Sequence, residues 1–330
     1  YDDIKVQDYL SSLVTAYDPS PEDAATDVPR DVTLAWTAGR LAATHDVYLG
    51  ASPTDVNAAG RDDPRDVLVS QDQEAAQYDA VSPLDYGQTY YWRVDEVNAA
   101  PNDDIFKGSV WSFTIEPYAY PITGVTARAA NEQPASPATR TVDRSGLDDI
   151  DQHGIDVKTM WMGNLPAWIE YTFDKEYKLH ELWVWNANSE IESLMGFGAR
   201  DVTIEYSTDG QTWTALENVP EFAQGTGMAT YTANTVVPFG GVTAKSVRLT
   251  VNAAYGMTGV VGLSEVRFFY VPTQAFRPDP ADDAVDVSVE TELNWRPGRG
   301  MTSHTVYIDA DEAAVADGTA AAHAVTEHGY

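Results

Sequence analysis

The stretch Val202-Thr203-Ile204-Glu205-Tyr206-Ser207-Thr208-Asp209-Gly210-Gln211-Thr212-Trp213 alternates apolar and polar residues and then breaks at Asp-Gly. Period two puts Val202, Ile204 and Tyr206 on one face of a strand. The Asp-Gly pair predicts a hairpin, because it supplies the positive φ values of a tight turn. Working outward, the same alternation recurs in Trp168-Ile169-Glu170-Tyr171-Thr172-Phe173 and in Leu179-His180-Glu181-Leu182-Trp183-Val184-Trp185. It recurs again in Ser246-Val247-Arg248-Leu249-Thr250-Val251 and in residues 263–270. Short strands of this kind predict an antiparallel β-sandwich over about residues 121–272.

On either side of this unit stands one copy of an internal repeat. Ala16-Tyr17-Asp18-Pro19-Ser20-Pro21 leads through Leu34 to Trp36, and Ala275-Phe276-Arg277-Pro278-Asp279-Pro280 leads through Leu293 to Trp295. The offset is 259 from Pro19 to Pro278 and from Trp36 to Trp295. It holds without a gap through Gly39 and Gly298, His45 and His304, and Tyr48 and Tyr307. Each copy opens on a Pro-x-Pro segment suited to a sheet edge, since proline has no ladder N–H to offer. The first copy continues through Leu84-Asp85-Tyr86-Gly87 and Thr89–Val97 to Val110–Ile115, with no helical period. At the same offset, the counterpart of Tyr91-Trp92-Arg93-Val94 lies past residue 330, so the second copy is expected to be incomplete. Residues 1–14 read as the terminal strand of a preceding domain or as a donor strand, and the whole as a piece of a longer chain.

Composition narrows the partners. Against 20 Lys plus Arg stand 51 Asp plus Glu, a formal charge of −31. That balance argues against nucleic acid and anionic membranes, which must be met by cations. With no cysteine there are no disulfides and no thiolate metal sites. No apolar run approaches the roughly 18 residues of a membrane span, so membrane insertion is not expected.

Particular residues carry two resemblances. Trp36 on a second strand, the Tyr86-Gly87 turn and the strand Tyr91-Trp92-Arg93-Val94 resemble the fibronectin type III family, fully over about residues 16–117 and in part over 275–330. Leu84–Tyr86 falls where that family keeps its tyrosine corner. The central unit resembles the discoidin, or coagulation factor 5/8 C-terminal, family and its carbohydrate-binding relatives. There the match rests on the loop Thr139-Arg140-Thr141-Val142-Asp143-Arg144-Ser145-Gly146, on Met160-Trp161, on Trp168-Ile169-Glu170, on Tyr206–Gly210 with Trp213, and on Gly262-Leu263-Ser264-Glu265-Val266-Arg267-Phe268. The resulting fold class is all-β: an Ig-like fibronectin type III sandwich at 15–118, a discoidin-like jelly-roll sandwich at 121–272 and a partial second fibronectin type III sandwich at 273–330.

The discoidin resemblance implies a structural calcium ion, a hard cation that takes six to eight oxygens. Its ligands would be the carboxylates of Asp143 and Glu265 and backbone carbonyls near Arg140, Ser145 and Ser264, with Asp148 adding a side-chain oxygen. Arg144 departs from the family, which usually has glycine there. The resemblance also implies sugar recognition by loops at one end, where a flat apolar ring and fixed polar groups are the useful chemistry. The candidates are Trp185, Asn186, Asn188, Phe197, Arg200, Tyr255 and His153, with Phe197 and Tyr255 as the aromatic platforms. Trp161, Trp168, Trp183 and Trp213 are expected in the core.

No Gly-x-Ser-x-Gly, His-Glu-x-x-His or phosphate-binding glycine loop occurs, and Asp148-Asp149-Ile150-Asp151 lacks the spacing of an EF-hand loop. The expected function is therefore non-catalytic: an extracellular or cell-surface segment that binds a polysaccharide or glycoconjugate. A catalytic domain elsewhere in a parent chain stays open. The alternative is a structural or adhesive surface protein whose neighbouring copies assemble head to tail by strand complementation, without sugar binding.

Overall fold

The structure, a computed structural model, describes residues 14–99, 101 and 104–326. The expectations for residues 1–14 therefore fall almost wholly outside the described residues. The chain divides into two compact units between Tyr118 and Ala119.

In the first unit the strands are β1 (Tyr17–Ser20), β2 (Ala25–Val28), β3 (Thr33–Thr37), β4 (Ala42–Gly50), β5 (Leu68–Gln73), β6 (Gln77–Asp79), β7 (Thr89–Asn98), β8 (Ile105–Phe106) and β9 (Trp111–Ile115). One sheet runs β1-β3-β6 and the other β2-β9-β7-β4-β5, with β8 on the edge of β7. Leu34 and Trp36 of the small sheet meet Val47, Trp92, Val94, Phe113 and Ile115 of the large one in a single buried cluster. Alternation explains the selection: along β9, Trp111, Phe113 and Ile115 are buried while Ser112 and Thr114 are not.

A short helix absent from the sequence reading, α1 (Pro53–Ala58), packs Val56 beside Tyr48, Ala59 and Val67. Ser52 caps it and Pro53 stands at its first turn, where a missing N–H costs nothing. Arg93 is fully buried beneath this helix. It pairs with Asp95, donates to the carbonyls of Val56, Asn57 and Ala59, and lies 4.1 Å over the Tyr48 ring. A buried guanidinium needs that full set of partners. At the corner after β6 it is Tyr90 whose hydroxyl accepts from the Asp85 N–H at 3.2 Å, whereas Tyr86 meets Tyr118 edge-on and lies under Arg30.

The second unit opens with β10 (Tyr120–Pro121), β11 (Thr126–Ala129), β12 (Trp161–Asn164), β13 (Ala167–Asn186), β14 (Ala199–Ser207), β15 (Thr214–Ala215), β16 (Thr235–Pro238), β17 (Thr243–Ala254) and β18 (Val260–Tyr270). The two strands expected at 168–173 and 179–185 are one long strand. Its first half pairs with β11 and β17, its second with β16 and β18. A register shift between Thr172 and Tyr177 turns the corner, through the exposed Asp174-Lys175-Glu176. The strand thus serves both sheets, which enclose Ile169, Tyr171, Leu182, Val184, Ile204, Leu249, Leu263 and Phe268. The hairpin between β14 and β15 is wider than a two-residue turn. Only Gly210 takes a left-handed φ there, and the Asp209 carboxylate closes the loop on the N–H groups of Gln211 and Thr212.

Of the tryptophans expected in the core, Trp161 is buried, but Trp168, Trp183 and Trp213 are only partly so. Period two explains the correction. With Ile169 and Tyr171 inward, Trp168 and Glu170 lie on the opposite face, where Glu170 is covered by its arginine partners, and with Leu182 and Val184 inward, Trp183 faces out. Trp168 lies between Arg128 and Arg248, which both pair with Glu170. Trp183 packs on Phe269 at 4.7 Å.

The remaining strands are β19 (Phe276–Asp279), β20 (Asn294–Arg296), β21 (His304–Ile308) and β22 (Ala321–Val325). Conformation repeats along with sequence. Asp18 and Arg277 both have φ 50°, and Asp27 and Asp286 have φ 59° and 58°. Tyr17 faces Thr37 as Phe276 faces Arg296. A Cβ on Gly39 would meet the backbone of Val14, and one on Gly298 that of Thr273, so both positions require glycine. Among the described residues no helix is long and apolar enough to cross a membrane.

Candidate functional site

Four loops of the central domain converge at one end of its sandwich. The short helix α2 (Glu192–Met195) ends at Gly196, whose left-handed φ of 63° and contact with the Tyr255–Gly256 backbone leave no room for a side chain. Gly256 donates to the Gly196 carbonyl at 2.7 Å and Tyr255 to that of Gly198 at 3.0 Å, joining the loops at 194–200 and 252–257. A third loop, 222–234, was not singled out in the sequence. Gly225 lies against the Ala187 carbonyl and Gly227 against that of Ser189, a closeness only glycine allows. The fourth carries His153, whose N–H donates to the Tyr231 carbonyl at 2.6 Å.

Beneath these loops is a layer of buried polar side chains. Asn188 donates to the carbonyls of His153, Gly154 and Met228, and its oxygen accepts from the Gly227 N–H at 2.8 Å. Asn186 bonds both backbone groups of Ala199 and the carbonyl of Ala223. The Glu192 carboxylate accepts from the N–H groups of Phe197 and Gly198 and from Gln224, and burial raises its pKa. Trp185 is also buried, its indole N–H on the Asp151 carbonyl at 3.1 Å. His153 is buried against Gly146, and burial lowers its pKa.

Four candidate sugar contacts are thereby corrected: Trp185, Asn186, Asn188 and His153 hold the loops in place and present no surface to a ligand. Phe197 and Tyr255 remain half-buried and Arg200 is exposed. The Tyr255 hydroxyl donates to the Phe222 carbonyl at 2.7 Å, which fixes its ring. Ile191, Leu194, Met228 and Met257 are exposed at the same loops. Glu192, Gln224 and Tyr231 were missed because nothing local marks a polar residue for burial; the glycines at 225 and 227 were the available signal.

The candidate calcium ligands adjoin that layer: Glu265 stands opposite Trp185 on the neighbouring strand, and the Asp143 charge acts on His153. Glu265 on β18 is buried, and its Oε2 has no hydrogen-bond partner. Burial, with the Asp143 charge adding to it, pushes its pKa up to about 8. Ser264 Oγ is likewise buried without a partner. Asp143 accepts from the Ser145 N–H at 2.9 Å and pairs with Arg140 at 3.0 Å. Arg144 sits at φ 60°, a conformation that favours glycine, and its side chain turns to Asp151 at 3.1 Å. Asp148 instead closes its own turn on the N–H groups of Ile150 and Gln152. Among the described residues no three His, Cys, Asp or Glu side chains cluster as for a metal. A buried carboxylate oxygen without a partner fits a cation.

Beside Glu265 is a cavity of about 320 Å³ lined by Ile122, Gly124, Val142, Arg144, Arg267 and Phe268, among others. Arg267 pairs with Asp151 at 2.7 Å, so Asp151 ties the acidic loop to β18.

Residues 127–266 match the family model described as F5/8 type C domain, and the central segment is a domain of that class. No curated protein matches the chain. Among solved structures, the chain is similar to CBM32-3 from a family 31 glycoside hydrolase of Clostridium perfringens. The two are 20% identical over 46% of this chain and 95% of that one, with TM-score 0.36. It is similar also to the family 32 carbohydrate-binding module of C. perfringens NanJ, solved with galactose, at 19% identity over 46% and 98%, TM-score 0.33. A pectin-binding carbohydrate-binding module is 21% identical over 44% and 89%, TM-score 0.30.

Proposed function

We propose that the F5/8 type C domain is a non-catalytic carbohydrate-binding module that engages sugar at the converged loop end. One observation carries this reading. Four loops are locked together by a buried polar layer, so that Phe197, Tyr255 and Arg200 are held at the rim of one end. Fixed rings and a cationic donor are what a sugar's C–H face and hydroxyls require. Pre-organised loops also lower the ordering cost of a weak ligand. The net charge of −31 favours neutral over acidic glycans.

In the same reading, Asp143, Glu265 and the backbone carbonyls of Arg140, Ser145 and Ser264 hold a structural calcium ion. The ion supplies positive charge to the buried Glu265 carboxylate and ties the first loop to the last strand. A calcium-holding module of this class fits a protein outside the cell or on its surface, where calcium is abundant. The flanking repeats, which resemble fibronectin type III domains in sequence, serve as spacers in this reading.

The test is a glycan array on the calcium-loaded chain, followed by titration of any hit. Phe197→Ala and Tyr255→Phe distinguish the platform from its tether. Phe197→Ala is expected to weaken binding by about tenfold or more, a loss near 1.4 kcal/mol, while Tyr255→Phe weakens it less. Calcium should raise the Tm and Glu265→Gln should abolish that rise. An absence of glycan binding by the calcium-loaded chain would sink the sugar reading and leave the calcium test standing by itself.

A further inference from the structure

One segment of the central domain, residues 143–154, is fastened to the candidate cation ligands at its start and to the converged loops at its end. At its start the Asp143 charge acts against that of Glu265, and the backbone N–H of Arg144 faces the same Glu265 carboxylate. Leu147 then donates to the Arg144 carbonyl at 3.0 Å. At its end the His153 N–H donates to the Tyr231 carbonyl at 2.6 Å. Asn188 donates to the carbonyls of His153 and Gly154, and its own oxygen accepts from the Gly227 N–H at 2.8 Å.

Between these ends the segment folds back on itself. Gly154 donates to the Gly146 carbonyl at 2.9 Å, Asp148 to that of Gln152 at 3.0 Å, and Leu147 bridges to His153. The buried His153 ring lies so close on Gly146 that a Cβ there would collide with it. The middle is pinned to the sheet: Trp185 donates to the Asp151 carbonyl at 3.1 Å, and Arg267 pairs with the Asp151 carboxylate at 2.7 Å. Contacts therefore run without a break from Glu265 through Arg144, Leu147 and His153 to the loop at 222–234.

We propose that this segment couples the two sites, so that a divalent cation held by Asp143 and Glu265 orders the loop at 222–234 through His153. The inference rests on the calcium reading above and adds a direction of control to it. Without a cation the two carboxylates repel each other, and the turn at 143–146 opens more often. Gly146 then leaves the His153 ring, and the Tyr231 carbonyl and the Asn188 amide lose a fixed partner. With the cation bound, the support of the loop is already ordered, so a ligand at the loop end meets a smaller ordering cost. The coupling is reciprocal: a ligand that orders 222–234 tightens cation binding by the same factor.

Amide hydrogen exchange of the intact chain, with calcium and with a chelator, tests this without any glycan. Calcium is expected to slow exchange about fivefold or more at 144–147 and also at 222–234. The hairpin at 207–215 is the reference, because it closes on its own Asp209 carboxylate. Equal slowing there would show general stabilisation and overturn the coupling. In His153→Ala the slowing at 144–147 should persist while that at 222–234 is lost. Full slowing at 222–234 in that variant would overturn the route through His153. Slowing confined to 144–147 in the unsubstituted chain would overturn the coupling and leave the calcium reading standing. No slowing at either place would overturn both, and the glycan array would still decide the sugar reading by itself.

Discussion

At the scale of the residue, Asn188 shows how the candidate site is made. A loop asparagine beside a strand end has the chemistry of a sugar contact, yet here its amide is spent on three backbone carbonyls and its oxygen on the Gly227 N–H. Asn188→Ala is expected to lower stability by about 1–3 kcal/mol, because buried carbonyls lose their donor. Thermal unfolding measures that loss directly, while sugar affinity at temperatures well below Tm should change far less than in Phe197→Ala. Arg144 illustrates the complementary case. Where the resemblance led to an expectation of glycine, Arg144 takes a left-handed φ, and its side chain is drawn off to Asp151.

At the scale of the element, the hairpin from β14 to β15 depends on one carboxylate. Asp209 accepts from the N–H groups of Thr212 and Gln211 and from Ser207, and those bonds hold its pKa down to about 2. A folded-state pKa below the unfolded one contributes stability at pH values above about 3.8, and that contribution is lost as pH falls through 2. Asp209→Ala should therefore lower Tm at neutral pH, and the gap from the unsubstituted chain should close on acidification to pH 2. A gap that stays constant with pH would show that the turn does not depend on the charge. The long strand β13 is the other decisive element. Its corner at Asp174-Lys175-Glu176 lets one strand pair in both sheets, which is why its outward tryptophans fall on two different faces.

At the scale of the molecule, the boundary at Tyr118 and Ala119 separates units with their own buried clusters. Unfolding is therefore expected in more than one calorimetric transition. Calcium should move the transition of the central domain and leave that of the first unit in place. A single transition that shifts as a whole with calcium would show that the units unfold together.

The places of the main strands of the central unit, the repeat at offset 259 with its paired Gly39 and Gly298, and the F5/8 type C segment were legible in the sequence, although 168–173 and 179–185 read as two strands where one runs through. Period-two alternation, turn chemistry and repetition are local properties of the chain. Burial at the loop end was not, because Asn186, Asn188, Glu192 and Tyr231 are buried by loops distant in sequence, as far apart as His153 and Tyr231. Nor was the outward placement of Trp168 and Trp183, which depends on which phase of the alternation faces the core. Alternation names two faces of a strand, and only the packing of one sheet on the other decides which of them is inside.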